Sequence, residues 1–113
     1  MKYRIKIKGL SVNGAYRGRR FATAELQAYK GALQYLLPKI EVPKGKLQVR
    51  YEFGVSSKNA DGDNLIKAFQ DCLQEQYGFN DKMIYEWSGK KVDVSKGKEY
   101  IEFEIKPCSK ISK

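Results

Sequence analysis

Apolar and polar residues alternate at the start of the chain. Between Lys2 and Lys8, Tyr3, Ile5 and Ile7 fall on one side and Lys2, Arg4, Lys6 and Lys8 on the other, which predicts a strand with one buried and one cationic face. The period changes after Thr23, a residue type suited to capping a helix. Leu26, Tyr29, Leu33 and Leu36 recur at helical spacing up to Pro38, whose ring keeps the preceding residue out of the helical region. Alternation returns in Leu47, Val49, Tyr51, Phe53 and Val55, a second strand. A second helix is expected from about Asp63, with Leu65, Phe69, Cys72 and Leu73 on its apolar stripe and Gly78 as its stop. A third strand runs from about Met83 to Val94, with an irregularity at Ser88-Gly89, and a fourth from Glu99 to Ile105. Ser95-Lys96-Gly97-Lys98 joins them as a hairpin turn. The order β-α-β-α-β-β predicts an α+β fold: a single mixed, partly antiparallel four-stranded sheet with two helices packed on one face.

The 113 residues suit one domain, expected over residues 1–107 with 108–113 as a basic tail. Cys72 sits on the helical stripe and Cys108 in the tail, with no disulfide framework; free thiols suit a reducing cytoplasm. The N-terminus has no signal-like apolar core, and no apolar run reaches membrane-spanning length. Charge narrows the partners. Lys plus Arg number 22 against 13 acidic residues, for a net +9, which favours a polyanion, with nucleic acid as the default. The loop from Gly9 to Arg20 adds Arg17, Arg19 and Arg20 interleaved with Tyr16 and, just beyond, Phe21. Such a mixture suits phosphate contact with base stacking, or a solvated loop with an aromatic tucked into the core. The chain has no histidine, which excludes Ser-His-Asp and Cys-His catalysis and His-ligated zinc. Hydrolysis here would have to run on carboxylates, lysine and a bound metal.

One acidic constellation fits that need. Asp61 and Asp63 are two apart, so in an extended segment both carboxylates face one ion or phosphate. Lys67 follows one helical turn after Asp63, on the same face. Asp81 comes just past the far end of that helix, where the next strand can bring it back. Magnesium takes oxygen ligands of this kind, and a neighbouring lysine can stabilise charge developing on a phosphoryl group. The plainer reading makes Asp63 or Asn64 a helix cap, Asp81 a turn residue and Lys67 a surface partner of Asp71.

The string Asp61-Gly62-Asp63-Asn64-Leu65-x-Lys67, followed by an apolar helix and then Asp81 before a strand, resembles the RusA family of Holliday-junction resolvases. Asn13-x-x-Tyr16-Arg17, Gln27-Ala28-Tyr29-Lys30 and Val94-Ser95-Lys96-Gly97 resemble further elements of that family, so the likeness extends over most of the chain. Gly62 stands where the family usually has a larger apolar residue, and Ser56 to Ala60 where it often has arginines. The resemblance implies a homodimeric, magnesium-dependent endodeoxyribonuclease, common in phages and prophages, that nicks two opposed strands of a four-way DNA junction. By matching position, Asp61, Asp63 and Asp81 would bind Mg²⁺ and Lys67 would be the catalytic lysine. Lys2, Arg4, Arg17, Arg19 and Arg20 are the expected phosphate contacts, joined by Asn13 and Tyr16 of the matching loop element. The expected partners are branched DNA and a second copy of the chain, with no membrane and no small-molecule substrate. Two rivals remain: a non-catalytic basic nucleic-acid-binding protein, and a degenerate family member kept for partner binding.

Overall fold

The computed structural model describes residues 2–10, 24–57 and 62–108, with the backbone alone of 16–17 and 21–22. Strand β1 is Lys2–Ile5, and a short antiparallel ribbon pairs β2 (Tyr16–Arg17) with β3 (Phe21–Ala22). Helix α1 spans Ala24–Leu36, β4 Leu47–Val55, α2 Gly62–Tyr77, β5 Ile84–Asp93 and β6 Tyr100–Pro107. Strands β1, β6, β4 and β5 lie side by side in that order in one mixed sheet. The predicted α+β class and four-stranded sheet with two helices are therefore present. The β2–β3 ribbon was not foreseen; its Tyr16↔Ala22 and Arg17↔Phe21 pairs fall within and just past the segment expected as loop. The proposed cap Thr23 lies outside the described residues. Among the described residues, no helix is long and apolar enough to cross a membrane.

Strand alternation decides which sheet face meets the helices. Leu47, Val49, Tyr51, Phe53 and Val55 are all buried, as are Ile101 and Phe103 of β6 and Ile5 of β1. All of them but Leu47 form one core with Leu26, Tyr29 and Leu33 of α1, and Leu65, Ala68, Phe69, Cys72 and Leu73 of α2. Phe69 is the centre of this layer. It is fully buried and makes edge contacts with Tyr51, Phe53 and Phe103 at centroid distances of 5.9, 6.2 and 5.5 Å, an arrangement that adds quadrupole attraction to area burial. Truncating so large a buried ring typically costs about 3–5 kcal/mol. Cys72 belongs to the same core, where burial pushes its thiol up to about 11, so it acts as a small apolar side chain.

Two local expectations need correction. The turn at Ser95–Lys98 exists, closed by the Lys98 amide donating to the Ser95 carbonyl at 2.9 Å, with Gly97 at φ +94°. It is not a hairpin between neighbours. β5 runs parallel to β4, β6 runs antiparallel to it on the other side, and the connection passes over the end of β4. The Val94 amide bonds to the Val55 carbonyl at 2.8 Å as the chain starts that crossing. The irregularity in β5 is also elsewhere. Register slips between Leu47↔Ile84 and Gln48↔Glu86, leaving Tyr85 as the extra residue. Gly89 is regular, and its lack of a side chain serves packing: a Cβ there would come within 2.7 Å of Ile66 Cδ1 on α2.

Candidate active site

Asp63 lies in the first turn of α2, and Lys67 and Asp71 follow at four-residue intervals, so the three share one helix face. Because the helix begins at Gly62, Asp63 is inside it and is neither its cap nor its flank. The other end of the helix brings in the second carboxylate. Gly78 adopts φ +72°, and its amide bonds to the Gln74 carbonyl at 2.8 Å, a glycine C-terminal stop that reverses the chain. The Asp81 amide then donates to Gln74 Oε1 at 2.8 Å, while Gln74 Nε2 donates to Asp71 Oδ1 at 3.4 Å. A single 3₁₀ turn, Asp81–Met83, is capped by Asn80, whose side chain accepts from the Lys82 amide at 2.9 Å. Gln74 thus ties Asp81 back to the helix that carries Asp63 and Lys67.

Asp63, Lys67 and Asp81 line one groove of about 410 Å³. Its remaining wall is Ile66 and Gln70 of α2 with Ile84 and Trp87 of β5. Gln70 is pinned from beneath by the Tyr51 hydroxyl, which donates to Oε1 at 2.7 Å. Lys67 Nζ stands 3.8 Å from Asp71 Oδ1, so the pairing foreseen in the plainer reading also occurs. Electrostatics mark the region as acid-crowded. Burial raises the Asp71 carboxyl above its ordinary value; Lys67 opposes the shift, and the charges of Asp81 and Glu75 add to it. The groove's own carboxylates are hard oxygen donors, the type that suits a divalent cation such as Mg²⁺. Among the described residues, no three Cys, Asp or Glu side chains gather closely enough to hold a metal by themselves. Asp61, the third expected ligand, lies outside the described residues.

The expected DNA contacts divide differently. Asn13, Arg19 and Arg20 lie outside the described residues, and of Tyr16 and Arg17 only the backbone is described. Lys2 and Arg4 are exposed and alternate with the core-facing Tyr3 and Ile5. They therefore occupy the sheet face opposite the helices, away from the groove. Arg4 is also engaged there. Its guanidinium contacts Glu102 Oε1 at 2.9 Å and lies 4.0 Å from the centre of the Tyr100 ring.

Sequence reasoning did not single out Gln70, Gln74 or Trp87. The glutamines could have been marked from helical spacing, since they fall three and seven residues after Lys67. Trp87 looks like a core residue in an alternating strand; only the sheet order places it at an edge.

A comparison with curated proteins gives no match. The family model described as endodeoxyribonuclease RusA matches residues 3–106, which includes Asp61, Asp63, Lys67 and Asp81 and every strand that builds the groove. By that match over nearly all of its 113 residues, the chain belongs to the RusA family of endodeoxyribonucleases.

Proposed function

We propose that this chain is a magnesium-dependent endonuclease that resolves four-way DNA junctions by paired nicks. It works as a homodimer, is encoded by a phage or prophage, and acts in the cytoplasm of a bacterial host. Residues 1–107 form the nuclease domain and 108–113 a basic tail. The observation that carries this reading is that Asp63, Lys67 and Asp81 line one groove despite coming from both ends of α2. Nucleases of this family generally depend on a divalent metal.

Asp61, Asp63 and Asp81 are the residues that would hold Mg²⁺. When bound, the ion supplies an activated water and offsets charge building on the phosphoryl oxygens. Lys67 contributes a second positive charge on the same wall, with Asp71 holding its ammonium in place; such a preset charge stabilises the transition state more than the ground state. Gln74 fixes the backbone of Asp81. Lys2, Arg17, Arg19 and Arg20, with Asn13 and Tyr16, hold the junction arms. Arg4 contributes least, because Glu102 already takes up its charge.

The Lys67–Asp71 pair favours a second reading, a basic nucleic-acid-binding protein whose acidic residues only support the helix. Labelled four-way, flap and duplex DNA incubated with and without Mg²⁺ separates the two. The nuclease reading expects paired nicks in the four-way junction with Mg²⁺ alone. Binding without products under any divalent metal supports the rival.

A further inference from the structure

Among the described residues, β5 is an edge strand, paired with β4 on one side only. It carries the chain's single tryptophan. Trp87 is 65% exposed although it pairs with Val49, a residue with no exposure at all. Leaving so large an apolar ring in water forgoes the burial that would stabilise it, and large exposed apolar surface marks a contact site. Its surroundings narrow the contact. Trp87 lines the groove that holds Asp63, Lys67 and Asp81, and it also lines a neighbouring hollow of about 420 Å³ with Arg50 and Tyr85. Tyr85 is 55% exposed and is the extra residue of the register shift. The Lys46 ammonium lies 4.8 Å from the centre of its ring. Trp87 therefore borders the proposed cleavage groove beside Lys67, and the exposed Tyr85 with Lys46 stands two residues away on the same edge strand.

We propose that Trp87, supported by Tyr85, is a stacking platform for an unpaired nucleobase of the bound DNA, next to the phosphate held in the groove. Every base offers a π-face to an aromatic side chain, while cations beside it hold the backbone. A base inside intact duplex has both faces covered; a base at a strand crossing can expose one. This gives a physical basis for preferring branched over linear DNA. A second copy of the chain adding to the β5 edge is the weaker occupant. Lys90 and Lys91 lie on that strand, and lysines on an edge strand discourage strand addition. The proposal rests on the nuclease reading for the position of the phosphate, but stacking itself needs no metal.

The emission of the one tryptophan reports the contact directly. Full-length protein is titrated without divalent metal against a four-way junction, a single strand and a duplex of the same sequence. The expected result is quenching by junction and single strand and much less by duplex. Trp87→Ala should weaken junction binding roughly 5- to 150-fold, the range found when a stacking aromatic is removed. Should that variant fail to fold, Trp87→Phe and Trp87→Leu replace it. Stacking requires tighter binding by Phe than by Leu, and equal binding overturns the proposal. Cleavage with Mg²⁺ is followed on the same preparations. A junction cut while emission is unchanged overturns the stacking site and leaves the nuclease reading intact. Quenching without cleavage supports the site and counts against the nuclease. An emission change that depends on protein concentration, with none added by DNA, assigns the ridge to a second copy and overturns the proposal.

Discussion

The two faces of the sheet use the same residue types to opposite electrostatic ends. On the open face, Glu52 accepts a hydrogen bond from the Tyr100 hydroxyl and is approached by Lys90 at 3.6 Å and Arg4 at 3.8 Å. The tyrosine bond, chiefly, holds its carboxyl below the ordinary value, with burial opposing and Lys90 and Arg4 assisting. On the helical side, burial holds Asp71 above its ordinary value, and the nearby Asp81 and Glu75 push the same way against Lys67. Charge on the open face is matched within the fold. Around the groove, Asp71 pairs with Lys67 yet lies among further carboxylates, Asp81 and Glu75. The contrast sets acidic side chains on the helical side against an open face where Arg4, an expected phosphate contact, is already engaged by Glu102.

Apart from loss of a groove carboxylate, the comparison is broken most severely by Lys67→Ala. Removing one preset charge from a transition state typically costs on the order of 10²–10³ in rate, and single-turnover cleavage of a four-way junction should fall by about that much. Junction affinity should change little, since one lysine is lost from a surface of net +9. Gln74→Leu comes next. It leaves the groove's charges in place but frees the Asp81 amide and the Asp71 carboxylate from their shared partner. Loss of such a supporting contact typically costs roughly 10–100-fold, and added Mg²⁺ should recover part of the activity.

The smallest effects concern stability, and the two faces should differ in sign. Glu52 has a folded pKa below its unfolded one. Its contribution is present above the unfolded value and is lost as pH falls through the folded value. Tyr100→Phe should therefore lower urea stability at neutral pH by about 1 kcal/mol, and the gap from the parent should close in acid. Asp71 has a folded pKa above its unfolded one. Its contribution is present below the unfolded value and is lost as pH rises through the folded value. Asp71→Asn should therefore leave the protein unchanged or more stable at neutral pH, with that gain fading in acid. A loss at neutral pH with Asp71→Asn would mean that its pairing with Lys67 outweighs its burial and the nearby charge of Asp81.

Much of this was legible from local pattern. The alternation of Leu47 to Val55 identified the central strand and its buried face, and the stripe through Leu65, Phe69 and Leu73 identified the helix that covers it. The Asp63–Lys67 relation followed from helical spacing alone. Non-local features stayed hidden. The turn at Gly97 has the same local chemistry whether it joins neighbouring strands or passes over a third. The sheet order alone shows that it passes over β4, with Gly89 of β5 lying close against Ile66 of α2. Gly89 was expected to mark an irregularity of the strand, whereas it is regular there and permits this close approach. The return of Asp81 depends on a glutamine contacting a backbone amide across seven residues, a relation no periodicity encodes. Trp87 lies on an edge strand, which again is a property of the whole sheet.

The central claim is that the acidic groove cuts DNA and that the cationic surface only holds it. Asp63→Asn tests this most directly, since it removes a carboxylate charge from the groove while keeping the side chain's size. Binding of a labelled four-way junction and its cleavage with Mg²⁺ are measured on the same preparations of parent and variant. The variant should bind equally or slightly more tightly, with cleavage reduced on the order of 10³-fold, which corresponds to about 4 kcal/mol of lost transition-state stabilisation. Nicking by Asp63→Asn at the parental rate would contradict it.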